Sequence, residues 1–191
     1  TYLCPSMRLP TLGPKGDGPA FGAGSYLIST RTHYNANYQL DGAFANVEKD
    51  KPYRLGMQDI TDGTSKTLLA GEINYAFEAD ERVPSIDNQA GCFGFAWAQG
   101  YWILAWGHMG TPAPDDDSLF PEVIQEYYTL YNNSKKRKAP ASYRLFRSDH
   151  SGGVQFVMLD GSVRFLPTDT DPMIRRALVT RAGDEVIASI N

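Results

Sequence analysis

The stretch HSGGVQFVMLDGSVRF, residues 150–165, decides the fold more than any other part of this chain. Apolar and polar residues alternate on both sides of an Asp-Gly pair, a pattern typical of a β-hairpin with a two-residue turn. We therefore predict two paired strands. The residues predicted to share a face are Val154, Phe156 and Met158 in the first strand, and Val163 and Phe165 in the second.

Two more strands and two helices are predicted elsewhere. Aromatic and β-branched residues favour strands at residues 25–30 and 67–75. Apolar residues recur at helical spacing in residues 119–131 and again in residues 171–183, where an Asp-Pro pair starts the helix and a glycine is predicted to end it. These elements indicate an α+β fold.

The composition is that of an ordinary globular protein. With 191 residues and 42% hydrophobic content, the chain is long enough to form one domain, residues 1–191, with its own core. The net charge of -4 provides no basic field for phosphates, so we expect no nucleic-acid partner. The basic run KKRK at residues 135–138 is interpreted as a solvated loop.

Several glycine and acidic positions are interpreted as structural. Asp62 is expected to hydrogen-bond the backbone of its own turn, and Gly63 to adopt a positive φ there. Glu72 interrupts an apolar strand, and a buried carboxylate needs a partner, for which an arginine or a backbone amide is expected. A structural role is also assigned to the turn residues of the hairpin, which are His150, Gly152, Gly153, Asp160 and Gly161.

The segment at residues 91–110 contains all three tryptophans. Large aromatic side chains usually lie in the core, because each buries a large apolar area, and we favour this interpretation. The alternative is an exposed platform on which sugar rings stack beside polar side chains. The residues that this carbohydrate or solute site would use are Trp97, Gln99, Tyr101, Trp102, Trp106 and His108.

Signals for a metal ion are weak. Asp115, Asp116 and Asp117 precede the helix predicted at residues 119–131, where acidic residues favour the helix dipole. A calcium ion bound by their oxygens is the alternative. The two cysteines, Cys4 and Cys92, are too far apart for a local CxxC site, so they either form one disulfide or are buried separately.

Signals for catalysis are weaker still. The sequence contains no GxSxG elbow, P-loop, HExxH helix or dinucleotide fingerprint, so we do not predict an enzyme. A metal-dependent or hydrolytic enzyme remains the last alternative. Its residues would be Glu72, His108, Asp149 and His150.

Five pieces of the chain resemble, in this order, a single family. They are CPS at residues 4–6, DITDGTSKTLLAGE at 59–72, SDHSGG at 148–153, DGSVRFL at 160–166 and ALVTRAGDEV at 177–186. The chain resembles the large planctomycete family of unknown function whose members begin with a prepilin-type cleavage and methylation signal. That family is sometimes labelled solute-binding-protein-like.

The resemblance implies an apolar helix upstream of Thr1, as in type IV pilins and pseudopilins. It further implies an α+β head with an antiparallel sheet, two short helices and long irregular loops. We expect an exported protein at the cell surface or in the periplasm, structural or adhesive in function and able to assemble into a filament. Membrane contact is expected only through the upstream helix. A carbohydrate- or solute-binding module is the first alternative function, and an enzyme is the second.

Overall fold

The computed structural model describes residues 3–7, 23–32, 40–44, 55–73, 95–96, 106–111, 131–132 and 145–185. The helix predicted at residues 119–131 lies outside these ranges except for its last residue. In chain order the described elements are β1 (Ala23–Gly24), β2 (Tyr26–Arg31), a 3-10 turn (Met57–Asp59), β3 (Leu68–Glu72), β4 (Phe95–Ala96), β5 (Trp106–His108), β6 (Gly153–Met158), β7 (Val163–Pro167) and α1 (Pro172–Ala177).

The strands form a mixed, open sheet. Five of them form this sheet, in the order β5, β2, β3, β6, β7. Strands β1 and β4 form a separate two-stranded sheet. The fold of the described residues is α+β, as predicted. The expectation of a purely antiparallel sheet is wrong at one edge, where β5 runs parallel to β2. A parallel neighbour needs a long crossover, and the chain reaches β5 only after passing through β3 and β4.

Strands β6 and β7 form the predicted hairpin, although its turn is longer than two residues. Residues 159–162 separate the strands, and the Gly161 amide donates to the Met158 carbonyl at 3.0 Å. A two-residue turn of the Asp-Gly type needs a positive φ at both central residues. Only Gly161 has one, with φ of 85°, while the Asp160 carboxylate accepts a bond from the Ser162 amide at 2.8 Å.

One face of the sheet carries the core. Phe156 lies at its centre and contacts the Phe146 ring edge-on, with ring centroids 5.1 Å apart. Gly71 of β3 leaves the space for this pair, since a Cβ at that position would lie 2.3 Å from the Phe156 ring. The other large buried side chains of this core include Leu27, Leu68, Ile73, Met109, Tyr131, Val154, Met158, Leu166 and Val179.

The opposite face of the sheet, which we call the outer face, is partly exposed. Val163 and Phe165 share a face of β7, as the alternation predicted, and this is the outer face. Val163 is 62% exposed and Phe165 is 47% exposed. The strand registers place Tyr26, Ile28, Ala70 and Val157 on the same outer face.

Helix α1 begins where the sequence predicted and ends earlier. The Asp171 carboxylate caps its first turn. The helix ends at Ala177 and not near Gly183, because the chain turns back to the sheet. The carbonyl of Leu178 accepts a hydrogen bond from the Leu68 amide at 2.8 Å, at the start of β3. Within the described residues, no helix has the length and apolarity that a membrane span requires.

The turn before β3 is tied to the carboxyl-terminal part of the chain. Gly63 has the predicted positive φ, 97°. The Asp62 carboxylate accepts bonds from the amides of Gly183 at 2.8 Å and Asp184 at 3.0 Å. The prediction that it bonds its own turn is wrong, because the carboxylate faces the segment at Gly183 and Asp184 and bonds these distant amides instead.

Candidate functional site

Three polar side chains meet at one end of the five-stranded sheet. Strands β2 and β6 begin at this end, where β3, antiparallel to both, terminates at Glu72. His150 lies in the loop that leads into β6. Cys4 reaches the same end because its amide donates to Ser25 Oγ at 2.9 Å, directly before β2. We call Cys4, Glu72 and His150 the Cys-Glu-His cluster.

The cluster converges on one nitrogen of the imidazole. His150 Nε2 lies 3.1 Å from Glu72 Oε1 and 3.4 Å from Cys4 Sγ. One ligand atom from each residue lies within 4.8 Å of the other two. Cys4 and Glu72 are 3% exposed, whereas the His150 side chain is 26% exposed and opens the cluster to solvent.

Hydrogen bonds from the backbone fix the carboxylate. Glu72 Oε2 accepts from the Gln155 amide at 2.9 Å, and the Glu72 carbonyl accepts from the Arg147 amide at 3.0 Å. The carboxylate therefore accepts a hydrogen bond from the backbone of strand β6 through one oxygen and contacts His150 through the other.

The loop before β6 holds the histidine. The His150 amide donates to Ser148 Oγ at 3.1 Å, and this hydroxyl donates to the Gly153 carbonyl at 2.6 Å. The amide of Thr168 closes the base of the loop by donating to the Gly152 carbonyl at 2.8 Å. The sequence SDHSGG thus positions the imidazole from within its own loop.

Ser6 stands at the open side of the cluster. Its hydroxyl lies 3.0 Å from Cys4 Sγ and 3.2 Å from His150 Nε2. Beyond it is an open polar cleft of about 520 Å³. The cleft is lined by Ser6, Asn132, Ser148, Asp149, His150, Gly152 and Thr168.

Tyr26 belongs to the surroundings of the cluster. It is paired with Glu72 across β2 and β3. Partial burial raises the pKa of the Tyr26 hydroxyl, and electrostatic interactions with Cys4 and Glu72 raise it further. The phenol therefore stays protonated to a higher pH than that of a free tyrosine.

The contacts are not those of a catalytic relay. In a relay of cysteine, histidine and carboxylate, the thiol and the carboxylate contact opposite nitrogens of the ring. Here both contact Nε2. Sulfur, nitrogen and carboxylate oxygen that converge on one point are instead the ligand types that hold a divalent transition metal.

The sequence pointed to two of the three residues and missed the third. Glu72 and His150 were singled out as structural residues, and their mutual contact was not predicted. Cys4 is a buried free thiol, which is the second of the two alternatives stated for it, and Cys92 lies outside the described residues. The available signal was the CPS piece at residues 4–6, which contains both Cys4 and Ser6.

Of the other residues predicted for a ligand or catalytic site, Asp149 lines the cleft beside the cluster, whereas His108 and Trp106 lie in β5. His108 is 2% exposed and accepts a bond from the Gly110 amide through Nδ1. The remaining residues of the carbohydrate and calcium predictions lie outside the described ranges, so those predictions stay open: Trp97, Gln99, Tyr101, Trp102, Asp115, Asp116 and Asp117.

Comparison with known proteins gives a family and no activity. No curated protein and no solved structure matches the chain. A family model described as "Protein of unknown function (DUF1559)", with the solute-binding-like short name SBP_bac_10, matches residues 1–173, a range that includes Cys4, Glu72 and His150. Since the match covers most of the 191 residues, the chain belongs to the DUF1559 family of proteins of unknown function.

Proposed function

We propose that this chain is the head of an exported, pilin-like protein at the cell surface, with a structural or adhesive function. The order of the five sequence pieces that resemble the prepilin-type family supports the proposal. The main structural support is that the outer face of the sheet exposes large apolar side chains.

The outer face has the character of a surface that packs against another element. Tyr26, Val163 and Phe165 are 45%, 62% and 47% exposed, and they lie on the same side of the sheet, Tyr26 in β2 and the other two in β7. Val163 and Phe165 are neighbours on one face of β7, and neighbouring exposed apolar side chains often mark an interaction surface. In a pilin-like protein, the apolar helix that the resemblance implies would pack against such a face.

The strand β7 adds a second feature that suits assembly. It is the last strand at one edge of the five-stranded sheet. An edge strand with exposed apolar residues can pair or pack with another chain unless it is covered. Assembly into a filament would cover both the edge and the outer face.

The test is expression of the full-length gene in its host, with surface labelling and electron microscopy of the cells. We expect labelled fibres on wild-type cells. A double substitution, Val163→Asp with Phe165→Asp, should remove the fibres while the head remains folded, because both side chains are already exposed.

Met173→Asp is the matched control. Met173 is 55% exposed and lies in α1, whose Ile174 packs against the core. This variant should still form fibres. A wild-type protein secreted as a soluble monomer, or fibres that are unchanged in the double variant, would contradict the proposal.

A further inference from the structure

We propose that Cys4, Glu72 and His150 form a binding site for one divalent transition metal ion, with zinc as the best-matched ion. The inference goes beyond the surface function proposed above and does not depend on it. Thiolate, imidazole and carboxylate are the three ligand types of protein zinc sites. The thiol disfavours calcium and magnesium, which prefer oxygen ligands.

The separations of the ligand atoms fit a zinc ion. Zinc bonds are about 2.1 Å to nitrogen or oxygen and about 2.3 Å to sulfur, so a tetrahedral ion separates its N and O ligands by about 3.4 Å and its N and S ligands by about 3.6 Å. The observed separations from His150 Nε2 are 3.1 Å to Glu72 Oε1 and 3.4 Å to Cys4 Sγ. From His150 Nε2, the two neighbouring ligand atoms need to move apart by only about 0.3 Å or less to accept the ion, and Glu72 Oε1 and Cys4 Sγ lie within 4.8 Å of each other.

A single hydrogen on His150 Nε2 cannot bond both of its buried neighbours, Glu72 Oε1 and Cys4 Sγ. The Cys4 thiol, however, can also bond Ser6 Oγ at 3.0 Å. Glu72 and Cys4 are both 3% exposed, and burying a charged group without full compensation is costly. A divalent ion at the centre satisfies the nitrogen, the oxygen and the sulfur at the same time.

The surroundings of the cluster are those of an ordered metal site. Ligands of protein metal sites are oriented by hydrogen bonds from an outer shell of residues. Here the Gln155 amide orients Glu72, Ser148 Oγ orients the His150 loop, and Ser25 Oγ orients the Cys4 turn.

The fourth position of the ion would face the cleft. Ser6 Oγ lies 3.0 Å from Cys4 Sγ and 3.2 Å from His150 Nε2, on the side that opens to the polar cleft of about 520 Å³. Zinc sites with three protein ligands and an accessible fourth position bind an exchangeable water or a small ligand there. The proposed site is of this kind.

Cobalt is the first probe, because a thiolate bound to Co²⁺ gives a charge-transfer absorption band in the near ultraviolet that oxygen and nitrogen ligands do not give. The 191-residue chain is titrated with Co²⁺ and then with Zn²⁺. We expect the band to reach its plateau at one equivalent of Co²⁺ and to disappear when Zn²⁺ displaces it. No band in the wild-type chain would overturn the proposal.

The second cysteine provides the matched control. Cys92→Ser should keep the band, and Cys4→Ser should lose it. The reverse result would place the metal at Cys92 and overturn the proposal.

The other two ligands, Glu72 and His150, are tested by Zn²⁺ affinity and by thermal unfolding. These variants still test the site if Cys4→Ser fails to fold. Glu72→Gln and His150→Gln should each weaken Zn²⁺ binding by more than about 100-fold, beyond the loss that follows from changing an outer-shell partner. Zn²⁺ should raise the unfolding temperature of the wild-type and Cys92→Ser chains and leave that of both variants unchanged. Equal affinity in all four chains would contradict the site.

Discussion

His150 shows how a residue interpreted as a turn-former acquires a second role through its contacts. Its backbone is part of the loop before β6, where the amide donates to Ser148 Oγ. Its side chain contacts Cys4, which lies 146 residues earlier in the sequence. Local patterns describe the first role, whereas only the tertiary structure reveals the second.

Tyr131 gives a prediction that depends on pH. The ring is buried, its hydroxyl donates to the Leu166 carbonyl at 3.1 Å, and the Arg175 guanidinium lies 4.5 Å from the ring centroid. Burial raises the pKa of the Tyr131 hydroxyl far above its ordinary value, although the charge of Arg175 acts in the opposite direction. The folded state therefore keeps this proton at a pH where the unfolded chain releases it.

The sign of the effect follows from this difference in pKa. The contribution of Tyr131 to stability is complete below the unfolded pKa of about 10 and is lost progressively as the pH rises above it. Urea unfolding between pH 7 and pH 11 should show Tyr131→Phe to be less stable at pH 7 by about 0.5–1.5 kcal/mol, because the hydrogen bond from the hydroxyl to the buried Leu166 carbonyl is lost. The difference should narrow above pH 10. A constant difference across this range would show that the buried phenol does not titrate as described.

At the scale of elements, sequence patterns correctly predicted the hairpin and the helix start, because neighbouring residues determine both. Alternation in residues 150–165 is sufficient for the β6–β7 hairpin, and the Asp171-Pro172 pair is sufficient for the start of α1. The end of α1 and the parallel β2–β5 pair were not predictable in this way. Both depend on partners distant in sequence: the Leu68 amide in the first case and strand β5 in the second.

The β6–β7 turn gives a prediction at this scale. Gly161 has a φ of 85°, a conformation that costs an alanine about 1–2 kcal/mol. Gly161→Ala should therefore lower the free energy of unfolding by about that amount in urea unfolding. Space is not the cause, since no atom lies within 4 Å of the position that a Cβ would take.

Asparagine separates backbone strain from other effects at this position. It adopts the left-handed conformation more readily than alanine does, so Gly161→Asn should lose less stability than Gly161→Ala. Equal losses in the two variants would show that φ is not the determining factor.

At the scale of the whole molecule, four of the five pieces of sequence that were quoted for the family resemblance lie at two junctions. The CPS, AGE and SDHSGG pieces meet in the Cys-Glu-His cluster. The turn at Asp62 and the RAGD piece meet through the bonds from Gly183 and Asp184. Each piece can be recognised in the sequence by itself. The contacts between the pieces arise only because the fold brings segments that are distant in sequence together.

The Cys-Glu-His cluster as a metal site is the central claim, and X-ray absorption at the zinc edge tests it most directly. The 191-residue chain loaded with one equivalent of Zn²⁺ should show one sulfur ligand at about 2.3 Å together with nitrogen or oxygen ligands at about 2.0–2.2 Å. The sulfur should vanish from the first shell in Cys4→Ser and remain in Cys92→Ser. A first shell of nitrogen and oxygen alone in the wild-type chain would contradict the claim.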